Sequence, residues 1–289
     1  MSGSLLQTGV LSPPAGPTAD QLNRLRAAAL AALRHGDHAR AAELAREVVA
    51  ANPRDAVAAQ TLGHALLIDD RPREAVDALR APTALSQDPA IETLFARALA
   101  RAGQREAALD ELRRTTRRRP AFALAFLELG ELLAQAGRFD EAQAVFAEGL
   151  ALAPGAAVLR VGHGHLCLKL NDRALARAEF EAVRRAAPQR FDATAGLALA
   201  LELDGDYRGA ADLYRSALAL RPYPLTQIRL GRCLLELGER EAGEAELKAA
   251  AGEAAQAAGL AIAALAAAPR GRLFLKPSAA AGFLSAEAP

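Results

Sequence analysis

Two residue types in this chain keep a single period, and that period limits what the chain can fold into. Pro120, Pro154, Pro188 and Pro222 are spaced by 34, 34 and 34 residues, and Pro53 precedes Pro120 by 67, close to two periods. Gly103, Gly137 and Gly205 keep the same register, with Asn171 in the slot 34 after Gly137. Gly36 lies 67 before Gly103, Gly238 lies 33 after Gly205, and the two series are offset by 17. A period of this length marks a repeat architecture. Glycine takes the left-handed conformation that closes a helix. Proline cannot continue a helix and restricts the residue before it. Each period therefore reads as helix, tight turn, helix, proline turn, and the chain as all-α.

Composition agrees. With 289 residues the chain is long enough for two compact domains or one extended repeat array. Aromatics are only 4%, Trp is absent and Ala is abundant, while Val, Ile and Thr are sparse. Ala is the best helix former and β-branched residues are weaker, so the profile predicts closely packed helices. The net charge of +1 argues against a dedicated nucleic-acid binder, which carries a basic excess. Cys167 and Cys233 fall inside predicted helices and form no disulfide framework, which suits a reducing compartment. Residues 1–20 have no basic stretch followed by an apolar core, so they do not read as a secretory signal. The most apolar stretch, 257–268, is shorter than the roughly 20 residues that span a bilayer. A cytoplasmic location away from membranes is the expectation.

The period and the helix–turn–helix grammar resemble the tetratricopeptide repeat family, in the form of a bacterial-type array of about seven repeats. That family places a small residue at the eighth position of each unit. Here those residues are Ala29, Gly63, Ala96, Gly130, Gly164, Ala198 and Gly231. Its twentieth position, alanine, holds Ala41, Ala75, Ala108, Ala142, Ala176, Ala210 and, departing, Gly243. Its twenty-fourth holds Ala45, Leu79, Leu112, Phe146, Phe180, Tyr214 and Leu247. Units start near Leu22, Ala56, Pro89, Ala123, Ala157, Phe191 and Pro224. The family's large fourth-position residue is replaced by Glu92, Arg160, Thr194 and Gln227, and Pro82 should shorten or kink the second helix of repeat two. The resemblance implies a right-handed α-solenoid of antiparallel helix pairs, about fifteen helices in all. The expected division is a flexible tail at 1–20, the array at 21–251, a capping helix at 252–268 and a C-terminal tail at 269–289. Phe274 and Phe283 make that last tail apolar enough to dock.

No catalytic motif stands out: GxxxxGK[ST], GxSxG and HExxH are all missing. His163 and His165 are two apart on a helix and point in different directions, so they do not chelate one metal together. His163 falls at a core position, and His165 faces the groove. The run from Arg113 to Arg119 reads first as a solvated face that favours the helix C-terminus through its dipole, and second as an anion site. No cofactor, metal or catalytic residue is expected.

The resemblance implies instead a concave groove, lined by first-helix residues, that holds a protein or peptide segment. The residues expected there are Arg26, Arg34, Gln60, His64, Arg97 and Arg101 in the first half. Glu131, Gln135, His165, Lys169 and Arg232 follow in the second half. Arg26, Arg34, Arg97 and Arg101 make the first half basic and suited to an acidic or C-terminal segment, because Arg bonds carboxylates in bidentate fashion. The chain's own tail is a competing occupant, and self-association stays open. The clamp by which some family members hold chaperone C-termini is not reproduced: its positions carry Arg26, Leu30, Thr61, Ala90 and Leu94. A second reading is an accessory or regulatory module of a bacterial transferase or carbohydrate-related enzyme system. A nucleic-acid partner would need a basic face with stacking aromatics, which are few.

Overall fold

A computed structural model describes residues 17–253, 255–267 and 277–285. Among the described residues there are sixteen helices and no strand. They come in pairs: α1 (Ala19–Arg34) with α2 (His38–Ala51), α3 (Ala56–Ile68) with α4 (Pro72–Leu85), and α5 (Pro89–Arg101) with α6 (Arg105–Thr116). Next are α7 (Ala123–Gln135) with α8 (Phe139–Leu152), α9 (Ala157–Lys169) with α10 (Arg173–Ala186), and α11 (Phe191–Leu203) with α12 (Tyr207–Leu220). The last two pairs are α13 (Pro224–Glu236) with α14 (Arg240–Glu253) and α15 (Ala255–Ala267) with α16 (Pro277–Ser285). Packing divides the chain into two compact units, Met1–Glu128 and Leu129–Pro289.

Local signals set the boundaries. Six expected unit starts, Ala56, Pro89, Ala123, Ala157, Phe191 and Pro224, are the first residues of α3, α5, α7, α9, α11 and α13. The first helix starts three residues before Leu22, because Thr18 caps it. Thr18 Oγ1 accepts from the Gln21 N–H at 3.3 Å, and Gln21 Oε1 accepts from the Thr18 N–H at 2.7 Å. Asp37, Asp55, Asp88, Asp172 and Asp206 cap five further helices with side-chain oxygens. The inter-helix turns of the glycine series all have positive φ, from 76° to 84° at Gly36, Gly103, Gly137, Gly205 and Gly238 and 63° at Asn171. Asp70, 34 residues after Gly36, fills the remaining slot at φ 56°, a region that a short polar side chain tolerates.

The repeat pairs close through small residues. Those at the eighth and twentieth positions are buried wherever they carry a side chain, and so are Leu79, Leu112, Phe146, Phe180, Tyr214 and Leu247 at the twenty-fourth. A Cβ on Gly130 would stand 2.6 Å from Phe146, and one on Gly231 would stand 2.8 Å from Leu247. The absent side chain of one helix is thus the space that the large residue of its partner occupies.

Two expectations need correction. Pro82 does not shorten its helix: α4 runs 14 residues, as α2, α8, α10 and α12 do. Pro82 falls in the last turn, where the missing N–H costs a single intrahelical bond, and its own carbonyl accepts from the Ser86 N–H at 2.9 Å. Among the described residues the helices number sixteen, where about fifteen were expected. The additional one, α16, lies within the stretch expected to be a tail and packs on α14 and α15. Leu284 is buried, and Phe283 packs against the cluster formed by Ile228, Leu235, Leu247, Ala261 and Leu265. Lys248 Nζ sits 4.4 Å from the Phe283 ring centroid. Phe283 is therefore engaged at the C-terminal end of its own unit. The N-terminal tail expected at 1–20 falls mostly outside the described residues, as does Phe274.

Candidate functional site

In the second unit the face made by the first helices carries three clefts. Residues four apart on a helix share a face, so Glu131 with Gln135 on α7 and His165 with Lys169 on α9 point the same way. These four line one cleft of about 160 Å³, floored by Phe146, Gly162 and Leu166. Lys169 Nζ donates to the Ala134 carbonyl at 3.2 Å and stands 5.6 Å from the Phe139 ring centroid. His165 also borders a larger cleft of about 370 Å³ between α11 and α13. A third, of about 330 Å³ between α13 and α15, shares Leu225 and Arg229 with the second and includes Arg232. Glu131, Gln135, His165, Lys169 and Arg232 thus all line clefts of this face. The His165 ring packs edge-on against Phe180 at 5.2 Å. Desolvation lowers its pKa, with Asp192 opposing and Arg229 assisting, so the ring is neutral near pH 7.

The largest of these three clefts has walls that sequence reasoning did not single out. Phe191 and Tyr223 meet edge to face at 5.8 Å, and the Arg221 guanidinium lies 4.1 Å from the Phe191 centroid and 5.4 Å from that of Tyr223. The chain has nine Phe and three Tyr, yet Phe191, Tyr214 and Tyr223 all line this one cleft. Beneath it, Glu202 is only 8% exposed. Its Oε2 accepts from Tyr214 Oη at 2.6 Å and Arg229 Nη1 at 3.2 Å, and Arg232 lies 3.5 Å from its Oε1. A buried carboxylate is costly unless it is paired, and these three groups supply the pairing. Burial first, and then the Glu202 charge, drive the Tyr214 phenol far above its ordinary range. At the mouth, burial opposes ionisation of Asp192, but the hydrogen bond and charge of Arg190 outweigh it and hold the carboxyl below its ordinary value.

The basic residues of the first unit are differently placed. Arg26 Nη1 donates to Asp55 Oδ2 at 3.3 Å and Arg97 Nε to Glu128 Oε1 at 2.9 Å. Arg101 donates to the Leu67 carbonyl at 2.6 Å and to Asp70 Oδ1 at 2.8 Å, and Gln60 donates to Asp88 at 3.4 Å. Asp55 and Asp88 are also helix caps, so one carboxylate closes a helix and ties it to the preceding repeat. Arg34 is exposed. His64 has its pKa lowered by desolvation and by the Arg97 charge. Three of the four arginines expected to await an acidic segment therefore already hold partners from neighbouring repeats.

The remaining charged motifs are also spent internally. Within the arginine run, Arg118 grips Glu92, which is 1% exposed: Nε donates to Oε2 at 2.7 Å and Nη2 bonds Oε1. Thr115 Oγ1 adds a bond to Glu92 Oε2 at 3.1 Å, and Arg113 pairs with Asp110 at 3.3 Å. The run is thus partly an inward-facing clasp, not simply a solvated face. His163 is buried with Nδ1 3.0 Å from Glu179 Oε1, and Arg160 Nη1 donates to the other oxygen of Glu179 at 2.8 Å. Among the described residues no group of three or more His, Cys, Asp or Glu is gathered as a metal site. No helix there is long and apolar enough to cross a membrane.

A stack of antiparallel helix pairs, closed by small residues in a 34-residue register and presenting a cleft-bearing first-helix face, defines a helical-repeat protein. The tetratricopeptide repeat profile matches residues 93–157 and 161–224. Those residues therefore carry tetratricopeptide repeats, and proteins built of this repeat are generally non-catalytic and bind other proteins. A search of curated proteins returned no match. Among solved structures, a tetratricopeptide repeat protein from Parabacteroides merdae is similar at TM-score 0.63 and 17% identity, over 84% of this chain and 98% of that one. Pseudomonas aeruginosa pilF is similar at TM-score 0.54 and 18% identity, over 71% and 94%. A chain of the APC/C hetero-tetramer Cut9-Hcn1 is similar at TM-score 0.60 and 13% identity, over 93% of this chain and 56% of that one. At such identities the likeness is one of fold.

Proposed function

We propose that this protein is a non-enzymatic scaffold that holds a segment of a partner protein on the first-helix face of its second unit. The observation that carries this reading is the run of three clefts along α7, α9, α11, α13 and α15. Concave, mostly apolar sites with a few placed polar groups are where proteins take ligands. The first-helix face of the first unit plays a different part, because most of its cations are tied between repeats.

The test compares two pairs of charge changes in the full-length protein. Gln135→Glu with Lys169→Glu alters the first-helix face, and Arg184→Glu with Arg185→Glu alters the last turn of the second helix α10. Partner recovery on affinity purification should fall at least about tenfold for the first pair and stay level for the second, tenfold being about 1.4 kcal/mol. Recovery that stays level for the first pair and drops for the second would refute the assignment.

A further inference from the structure

The two largest of these clefts meet at Leu225 and Arg229, and their combined chemistry says what kind of segment fits. Large apolar side chains are left open to solvent around them: Tyr223 is 44% exposed, Leu225 40% and Leu260 48%. An apolar surface of this sort, rimmed by polar groups, is characteristic of an interaction site. The rim is charged, and the charges do not balance. Arg190 is matched by Asp192. Glu202 is a single carboxylate shared by Arg229 and Arg232. Arg221 stacks on Phe191 and Tyr223, and no carboxylate among the described residues pairs with it. Four guanidiniums thus face two carboxylates, which leaves two positive charges around apolar clefts of about 370 and 330 Å³.

Building on the scaffold reading, we propose that this face takes an acidic segment of a partner protein in which carboxylates flank bulky apolar side chains. The apolar side chains fill the clefts between α11, α13 and α15. The carboxylates meet Arg221 and Arg232, whose planar guanidiniums bond carboxylates in charge-assisted pairs. The network below fixes the geometry: Tyr214 and Glu202 hold Arg229 at the junction of the two clefts, so that it loses little side-chain freedom on binding. Two features favour a peptide over a nucleic-acid strand. Arg221 already occupies one face of the Phe191 ring, and Leu225 and Leu260 are aliphatic surfaces without hydrogen-bonding groups.

A random dodecapeptide library displayed on phage, selected against the full-length protein, tests the idea. Peptides selected on the unaltered protein should be enriched in Asp and Glu beside Leu, Ile or Phe. Arg221→Glu combined with Arg232→Glu should lower affinity for the best of them by at least about tenfold and turn a repeated selection toward Lys and Arg. Circular dichroism melts of the variant guard against loss of fold. The single variant Leu225→Ser gives a second reading, because it leaves every charge in place and should weaken the same peptides. Selected peptides without acidic bias, or acidic peptides indifferent to both variants, would overturn the assignment of this face. If those same peptides were lost with Gln135→Glu and Lys169→Glu, the scaffold reading would stand without it. A library that yields no binder, or an oligothymidylate probe that binds through Arg221 in its place, would overturn the proposal.

Discussion

Phe180 is held between two glycines, and the spacing shows how tightly these helix pairs are fitted. A Cβ on Gly164 would stand 2.8 Å from the ring, and one on Gly196 would stand 2.5 Å from it. The ring cannot retreat from one without meeting the other. In a helix interior, Gly→Ala ordinarily gains about 1 kcal/mol from propensity. Here overpacking costs about 1–3 kcal/mol, so the second effect should win. Gly196→Ala is expected to lower stability by about 1–2 kcal/mol in urea unfolding, and adding Phe180→Leu should recover part of it. Gly155 meets nothing within 4 Å, so Gly155→Ala should change little. The same logic applies to Ala142 and Ala210, both fully buried: a leucine at either site should cost about 1–3 kcal/mol or more. A stabilised Gly196→Ala protein would show that the crossing is looser than these distances.

Within each helix pair, polar residues at the fourth position are matched by their partner helix or their own backbone. Glu92 is held by Arg118 and Thr115, Arg160 by Glu179, and Gln227 by Glu246, while Thr194 bonds the Arg190 carbonyl. Arg118→Ala should therefore cost about 3 kcal/mol, because it strands a buried carboxylate, and thermal unfolding read by circular dichroism will show it. Glu92→Gln with Arg118→Met should recover most of that loss. The cysteines lie in the same helices and are inert for a related reason. Burial pushes the Cys167 thiol up to about 11 and the Cys233 thiol up to about 12. Neither should react with a thiol reagent at pH 8 in the folded protein, and both should do so once it unfolds. Helix starts could be read from the sequence because proline, glycine and capping residues act locally. Asp70 escaped because an aspartate in a glycine slot carries no compositional mark. The pairs Arg26–Asp55 and Arg97–Glu128 escaped because they join residues about thirty apart, a spacing set by how one helix pair stacks on the next. The Phe191–Tyr223 wall lies at the starts of two successive repeats, so inspection of one repeat at a time does not bring it out.

At the level of the whole chain, a repeat stack leaves an apolar face at its end, and α15 and α16 pack against α14 here. Removing residues 268–289 takes away α16 and uncovers Ala261 and Leu265, which now pack with Leu284. Each large side chain returned to water costs about 1.5–3 kcal/mol, so the truncated protein should melt several degrees lower, with the loss beginning in α14 and α15. Hydrogen exchange along the chain will locate that loss. The repeat period and the first-helix positions of Glu131, Gln135, His165, Lys169 and Arg232 could be read before the fold was known. The arginines of the first unit could not be sorted into free and paired without it. The most direct measurement is site-specific photo-crosslinking of the full-length protein in its own cells. A photoreactive residue replaces Leu225 or Gln135 on the first-helix face of the second unit, or Arg184 on α10. The scaffold account predicts that Leu225 and Gln135 label one and the same protein partner while Arg184 does not; labelling from Arg184 alone would contradict it.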